Sequence, residues 1–83
     1  MRLSKGVALT STDYGAVLLD ERGGTYWQLN DSGAVIVGAL AEGLAPDAVA
    51  ERLAAEFDVD AAEARADVRE LVRRLVEAGI VRP

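Results

Sequence analysis

Ser4, Ser11 and Ser32 are the serine nucleophiles this sequence could offer, and each would need a neighbouring base. The chain contains no His and no Cys, and Lys5 is its only lysine. Thiolate and imidazole chemistry, disulfides and soft metal-ligand patterns are thereby excluded, and no catalytic residue is expected.

The carboxylate grouping most worth weighing is Asp67 with Glu63 or Glu70, at helical-neighbour spacing, but Arg74 close by makes it read as a solvated flank. Asp20 to Asp31 has the length of a calcium loop. Its third, sixth and twelfth positions, however, are Arg22, Thr25 and Asp31, none of them the residue such a loop needs. Gly23-Gly24 precedes a strand rather than a helix, so it reads as a hairpin turn and not a phosphate cradle. No metal and no cofactor are expected.

Arg65, Arg69 and Arg73 recur every four residues and could mark a nucleic-acid helix. Glu63, Asp67, Glu70 and Glu77 share that helix, and the chain carries a net charge of −5 with a pI near 4.5, so its field repels nucleic acid and anionic membranes.

At 83 residues, 51% hydrophobic and 28% charged, the sequence describes one small globular domain spanning residues 1–83. The N-terminal run lacks the continuous apolar stretch of a signal peptide or membrane span, which predicts a soluble cytoplasmic protein.

Val7 to Ser11 and residues 14–20 read as strands joined by a tight turn at Thr12-Asp13, and Gly23-Gly24 turns the chain into a third strand, Thr25 to Leu29. Asn30 is a helix N-cap before an almost wholly apolar helix over 31–42. Pro46 opens a second helix, 46–57, with Val49, Leu53 and Phe57 on one face. Asp60-Ala-Ala-Glu63 is laid out as a capping box for a third helix over 61–78. The expected class is α+β, a three-stranded antiparallel sheet followed by three α-helices.

In such a meander Thr25 to Leu29 is an edge strand. Its sequence, TYWQL, has none of the Lys, Pro or inward charges that usually blunt an edge. Alternation puts Thr25, Trp27 and Leu29 on one face and Tyr26 and Gln28 on the other. The two adjacent rings therefore do not share a pocket. Trp27 as a core anchor and the strand as a peptide-binding edge both fit these residues.

The runs YWQLNDSGAVIVGALAEG, AVAERLAAEFDVD and DVRELVRRLVEAGIV resemble the PqqD-like family of peptide-recognition domains. These are the RiPP recognition elements of ribosomally made, post-translationally modified peptides. Leu29-Asn30 followed by Gly33-Ala34 carries most of the likeness, and Asp67-Val68, Leu71 and Leu75 followed by Gly79-Ile80-Val81 a second part. Ala45 departs from the Thr or Ser often found as cap before the second helix. A free-standing acidic, Ala-rich chain is most similar to the leader-recognition proteins of lasso-peptide biosynthesis.

The resemblance implies a winged helix-turn-helix-like fold that binds a precursor's leader peptide as a strand added beside the meander's third strand, against a wall formed by the third helix. Carried over, the edge is Thr25, Tyr26, Trp27, Gln28 and Leu29, and the wall Asp67, Val68, Leu71, Arg74 and Leu75. The implied partners are the precursor's leader, a separate leader peptidase resembling a transglutaminase-type cysteine protease, and a lasso cyclase. A small winged-helix DNA-binding regulator is the alternative from another class, and a stand-alone enzyme or small-molecule carrier a third.

Overall fold

The computed structural model describes every residue from Met1 to Pro83. Its elements run β1 (Arg2–Leu3), β2 (Val7–Thr12), β3 (Gly15–Asp20), β4 (Thr25–Leu29), α1 (Asp31–Ala41), α2 (Pro46–Phe57), α3 (Ala61–Glu77) and β5 (Val81–Arg82). An antiparallel sheet in the order β2-β3-β4 is followed by three helices, giving the α+β class.

The first hairpin turns one residue later than the sequence suggests. Pairing runs on to Thr12↔Gly15, so Asp13 and Tyr14 form the turn and Tyr14 is 80% exposed. The cause is Gly15, which takes φ +142 to complete the reversal. A Cβ there would collide with the Leu29 carbonyl oxygen, so only glycine lets the start of β3 lie against the end of β4. In the second turn only Gly24 takes a positive φ, of 74°, while Gly23 does not.

The register pairs Ala16 with Leu29 and Leu18 with Trp27, so these four share the face that meets the helices. Ala16, Leu18 and Leu29 are buried on that face with Ile36, Val37 and Leu40 of α1. The opposite face is formed by Ala8, Thr10, Val17, Leu19, Tyr26 and Gln28, and it carries no charged side chain.

Asn30 caps α1 by accepting the Gly33 N–H at 2.8 Å, and Ser32 Oγ donates to the same amide oxygen. α1 packs on β3 and on α2, and α2 on α3. Val49 and Leu53 of α2 are fully buried, whereas Phe57, in its last turn, is 38% exposed and lies at the rim of the core. At α3 the capping differs in detail from the box: Asp60 accepts the Ala62 N–H, not that of Glu63, and no reciprocal bond from Glu63 forms.

Ala45 has extended geometry at the N-cap of α2 and offers no side-chain oxygen. Ala45→Ser should therefore stabilise the fold by about 0.5–1.5 kcal/mol, read from denaturant midpoints at unchanged slope. A variant no more stable than the parent would show that water already satisfies that helix end.

The last residues do more than close the chain. Val81–Arg82 pair antiparallel with Arg2–Leu3, and the Ser4 N–H donates to Ile80 O at 2.8 Å. Ile80 and Val81 are buried, so this short ladder seals one end of the core. No helix is long and apolar enough to cross a membrane.

Candidate functional site

β4 has β3 on one side and nothing on the other. No backbone hydrogen bond within the chain reaches the outer edge of Thr25–Leu29. Five residues of open strand offer about 17 Å of unpaired donors and acceptors.

Beside that edge stands α3, and helical geometry decides which of its residues face it. Ala64, Val68 and Leu75 form the stripe turned into the core, each at most 1% exposed. Asp67, Leu71 and Arg74, at i, i+4 and i+7, form the flanking stripe and line a hollow of about 380 Å³ between α3 and the end of β4. A second hollow of about 280 Å³, bounded by Tyr26, Trp27, Gln28 and Arg74, continues it along the strand. Together they make one groove.

The floor comes from α1. Ile36, 3% exposed, lies beneath the groove with Gly33 and Leu29. A Cβ on Gly33 would sit 3.2 Å from Asn30 Oδ1 and 3.4 Å from Leu29 Cβ, so glycine lets the first turn of α1 close against β4 without displacing its own cap. The Leu29-Asn30 … Gly33 pattern is thus the joint that sets the end of the strand on the helix.

Of the residues expected from the sequence, Tyr26, Trp27, Gln28, Leu29, Asp67, Leu71 and Arg74 line the groove. Thr25 lies on the edge just beyond it. Val68 and Leu75 are within the core, at most 1% exposed, where close packing lets them set the position of Leu71 and Arg74 from behind. Asn30, Ser32, Gly33 and Ile36 were missed as lining residues. The signal was available in the Asn30 cap, because a helix capped at the residue directly after Leu29 has its first turn beside the end of β4.

Charges frame an apolar middle. Asp67 is at one end of the α3 stripe and Arg74 at the other, with half-buried Leu71 between them. The Arg74 guanidinium lies over the Trp27 ring, 5.3 Å from its centroid, a cation–π contact that joins wall to strand. Glu70 and Glu77 both bind Arg73, at 2.7 and 2.9 Å, on the exposed side of α3. The Arg73 hydrogen bond lowers the Glu70 pKa, and Glu70 in turn raises that of Arg73. Arg65 lies across α3 beside Asp47 and Glu51 of α2. The arginine stripe is therefore interleaved with acids, unlike a nucleic-acid helix.

None of the three serines sits with a base. Ser4 is buried, and Ser32 Oγ donates to the Asn30 amide oxygen, which is no base. What the groove does present is an open strand edge beside an apolar-centred wall.

Residues 15–81 match the family model for coenzyme PQQ synthesis protein D, PqqD. No curated protein matches the chain. Two solved structures do. One, described as lasso peptide synthetase B1 complexed with the leader peptide, is 45% identical with a TM-score of 0.86, over 99% of this chain and 96% of that one. The other, TbiB1 in complex with the TbiA(β) leader peptide, is 31% identical with a TM-score of 0.87, over 96% and 93% of the two chains.

Proposed function

This chain belongs to the PqqD family, and from that premise we propose that it is a non-catalytic adaptor that binds the leader peptide of a lasso-peptide precursor. The leader adds as a strand to the open edge of β4, lies against Asp67, Leu71 and Arg74, and is presented to a separate leader peptidase of the transglutaminase-like cysteine type and then to a cyclase. The observation that carries the reading is the juxtaposition of an unblunted strand edge with an apolar-centred groove, in a chain similar to two proteins whose structures are complexes with leader peptides.

Magnitudes divide the labour. Strand hydrogen bonds at about 0.5–1.5 kcal/mol net barely offset roughly 1–2 kcal/mol of backbone ordering per leader residue. Micromolar to nanomolar affinity needs about 8–12 kcal/mol, so apolar leader side chains must supply the rest at about 1.5–3 kcal/mol each. The ladder sets register; the hollows beside Leu71 and Trp27 set strength. Strand addition also leaves the uncharged outer face of the sheet open to a second protein while the leader is held.

The test is a titration with the leader peptides of the two related structures. Trp27 fluorescence should change saturably, and backbone amide shifts should move across Thr25–Leu29 and Asp67–Leu75 in one transition. Saturable binding that leaves the β4 amides unmoved would refute strand addition, and no binding of either peptide would refute leader recognition by this groove.

A further inference from the structure

α3 walls the groove, yet no hydrogen bond joins α3 to β4. The width between them has to be held by something else, and one side chain outside the groove is placed to do it. Arg22 stands in the β3–β4 turn and makes a two-pronged ion pair with Asp20, Nε to Oδ1 at 2.8 Å and Nη2 to Oδ2 at 3.0 Å. The Arg22 N–H also donates to Asp20 Oδ1, at 3.1 Å. The same Nη2 reaches 57 residues along the chain and donates to the Gly79 carbonyl at 2.9 Å, immediately beyond the C-cap of α3 at Ala78.

Asp20 and Thr25 are directly paired at the mouth of the hairpin, so a guanidinium fixed on Asp20 is fixed relative to the first residue of β4. Gly79 is five residues beyond Arg74, and Arg74 covers Trp27. The C-terminal turn of α3 is thus tied to the sheet at two points, by Arg22 on Gly79 and by Arg74 on Trp27. The first acts through a planar fork whose geometry a single ammonium cannot reproduce. Gly6 permits the arrangement, since a Cβ there would lie 3.0 Å from Arg22 Cγ.

We infer that Arg22 is a positioning residue for ligand binding: it clasps the β3–β4 turn to the end of α3 and so sets the width of the groove at its Tyr26–Trp27 end, without touching the ligand. This rests on the reading of the groove as a leader-binding site, but the clasp has a consequence in the free protein as well. Without Arg22 the end of α3 keeps its core packing through Leu75 and Ile80 and the β1–β5 pairing beyond it, but it loses its link to the β3–β4 turn, and the Arg74–Trp27 stack loosens.

The experiment compares the full chain with Arg22→Ala and Arg22→Lys. In the free proteins, the ring-current shift that Trp27 imposes on the Arg74 side-chain protons reads the stack. Arg22→Ala should reduce it strongly, Arg22→Lys partly, and α2 amides should stay unmoved in both. Affinity for the leader peptides of the two related structures, measured well below each melting temperature, should fall about tenfold in Arg22→Ala and less in Arg22→Lys. A residue that only stabilised the fold would lower the melting temperature and leave the affinity of the folded protein alone. An undiminished Arg74 shift in Arg22→Ala overturns the clasp, as does unchanged affinity beside wild-type binding. If wild type binds neither peptide, the leader reading fails while the Arg74 shift still decides the clasp. Should the alanine variant not fold, Arg22→Lys carries the same two readouts.

Discussion

Leu71→Asp should reduce leader-peptide affinity by about a hundredfold or more while the chain still folds. Leu71 is the apolar centre of the α3 stripe, half-buried between Asp67 and Arg74 and directly over the larger hollow. An apolar leader side chain seated against it contributes about 1.5–3 kcal/mol. Replacing leucine with a carboxylate removes that contribution and forces the ligand to desolvate a charge, a further cost of about 1–3 kcal/mol. In the free protein the new carboxylate stays in water, and its like-charge neighbour Asp67 at i−4 costs only a few tenths of a kcal/mol. Circular dichroism and a thermal melt check the fold; calorimetric titration checks the affinity.

Tyr26→Ala is the contrast. Tyr26 is 67% exposed, points to the outer face beside Leu19 and meets the groove only at the rim of its smaller hollow, so its loss should weaken binding by no more than about tenfold. Equal effects from the two variants would mean that the ligand draws as much affinity from the Tyr26 rim as from Leu71, against the assignment of Leu71 as the centre of the groove.

The parts of this molecule governed by strong local periodicity were legible in the sequence. Alternation alone assigned Trp27 and Tyr26 to opposite faces, and the register, with Leu18 opposite Trp27 and Leu19 opposite Tyr26, agrees; both residues nevertheless bound the smaller hollow at the strand's edge, so the expectation that they share no pocket does not hold. Capping residues and the apolar stripe of α3 likewise follow from spacing. Features decided by contacts between distant segments were not legible. Gly15 reads as an ordinary residue of the run YGAVLL until the Leu29 carbonyl is seen against it, which is why the first turn lies one residue later than expected. β1 and β5 have two residues each, too few for alternation to show, and they pair across nearly the whole chain. Val68 and Leu75 have the same residue types as a groove wall would have. Only the rotation of α3 about its axis distinguishes them from Leu71.

The second large effect should come from the ligand's backbone rather than from any side chain. If the leader adds to β4 as a strand, its amides alternate between facing β4 and facing away, with a period of two residues whether it runs parallel or antiparallel. Methylating one amide nitrogen that faces β4 removes a hydrogen bond worth about 0.5–1.5 kcal/mol net. It also places a methyl group between strands that need a spacing of about 4.8 Å. Affinity should fall at least tenfold at those positions and little at the intervening ones, which face solvent. A series of singly N-methylated leader peptides, measured by calorimetry against the wild-type chain, reads this pattern directly. A leader bound as a helix against α3 would show a period near 3.6 instead, and one held only by its side chains in the hollows beside Leu71 and Trp27 would show no period. Because the edge offers only five residues between Gly24 and Asn30, the alternation should persist over no more than about five leader residues. That length limit ties the measured pattern to β4, since a ladder extending further would require a strand longer than Thr25–Leu29.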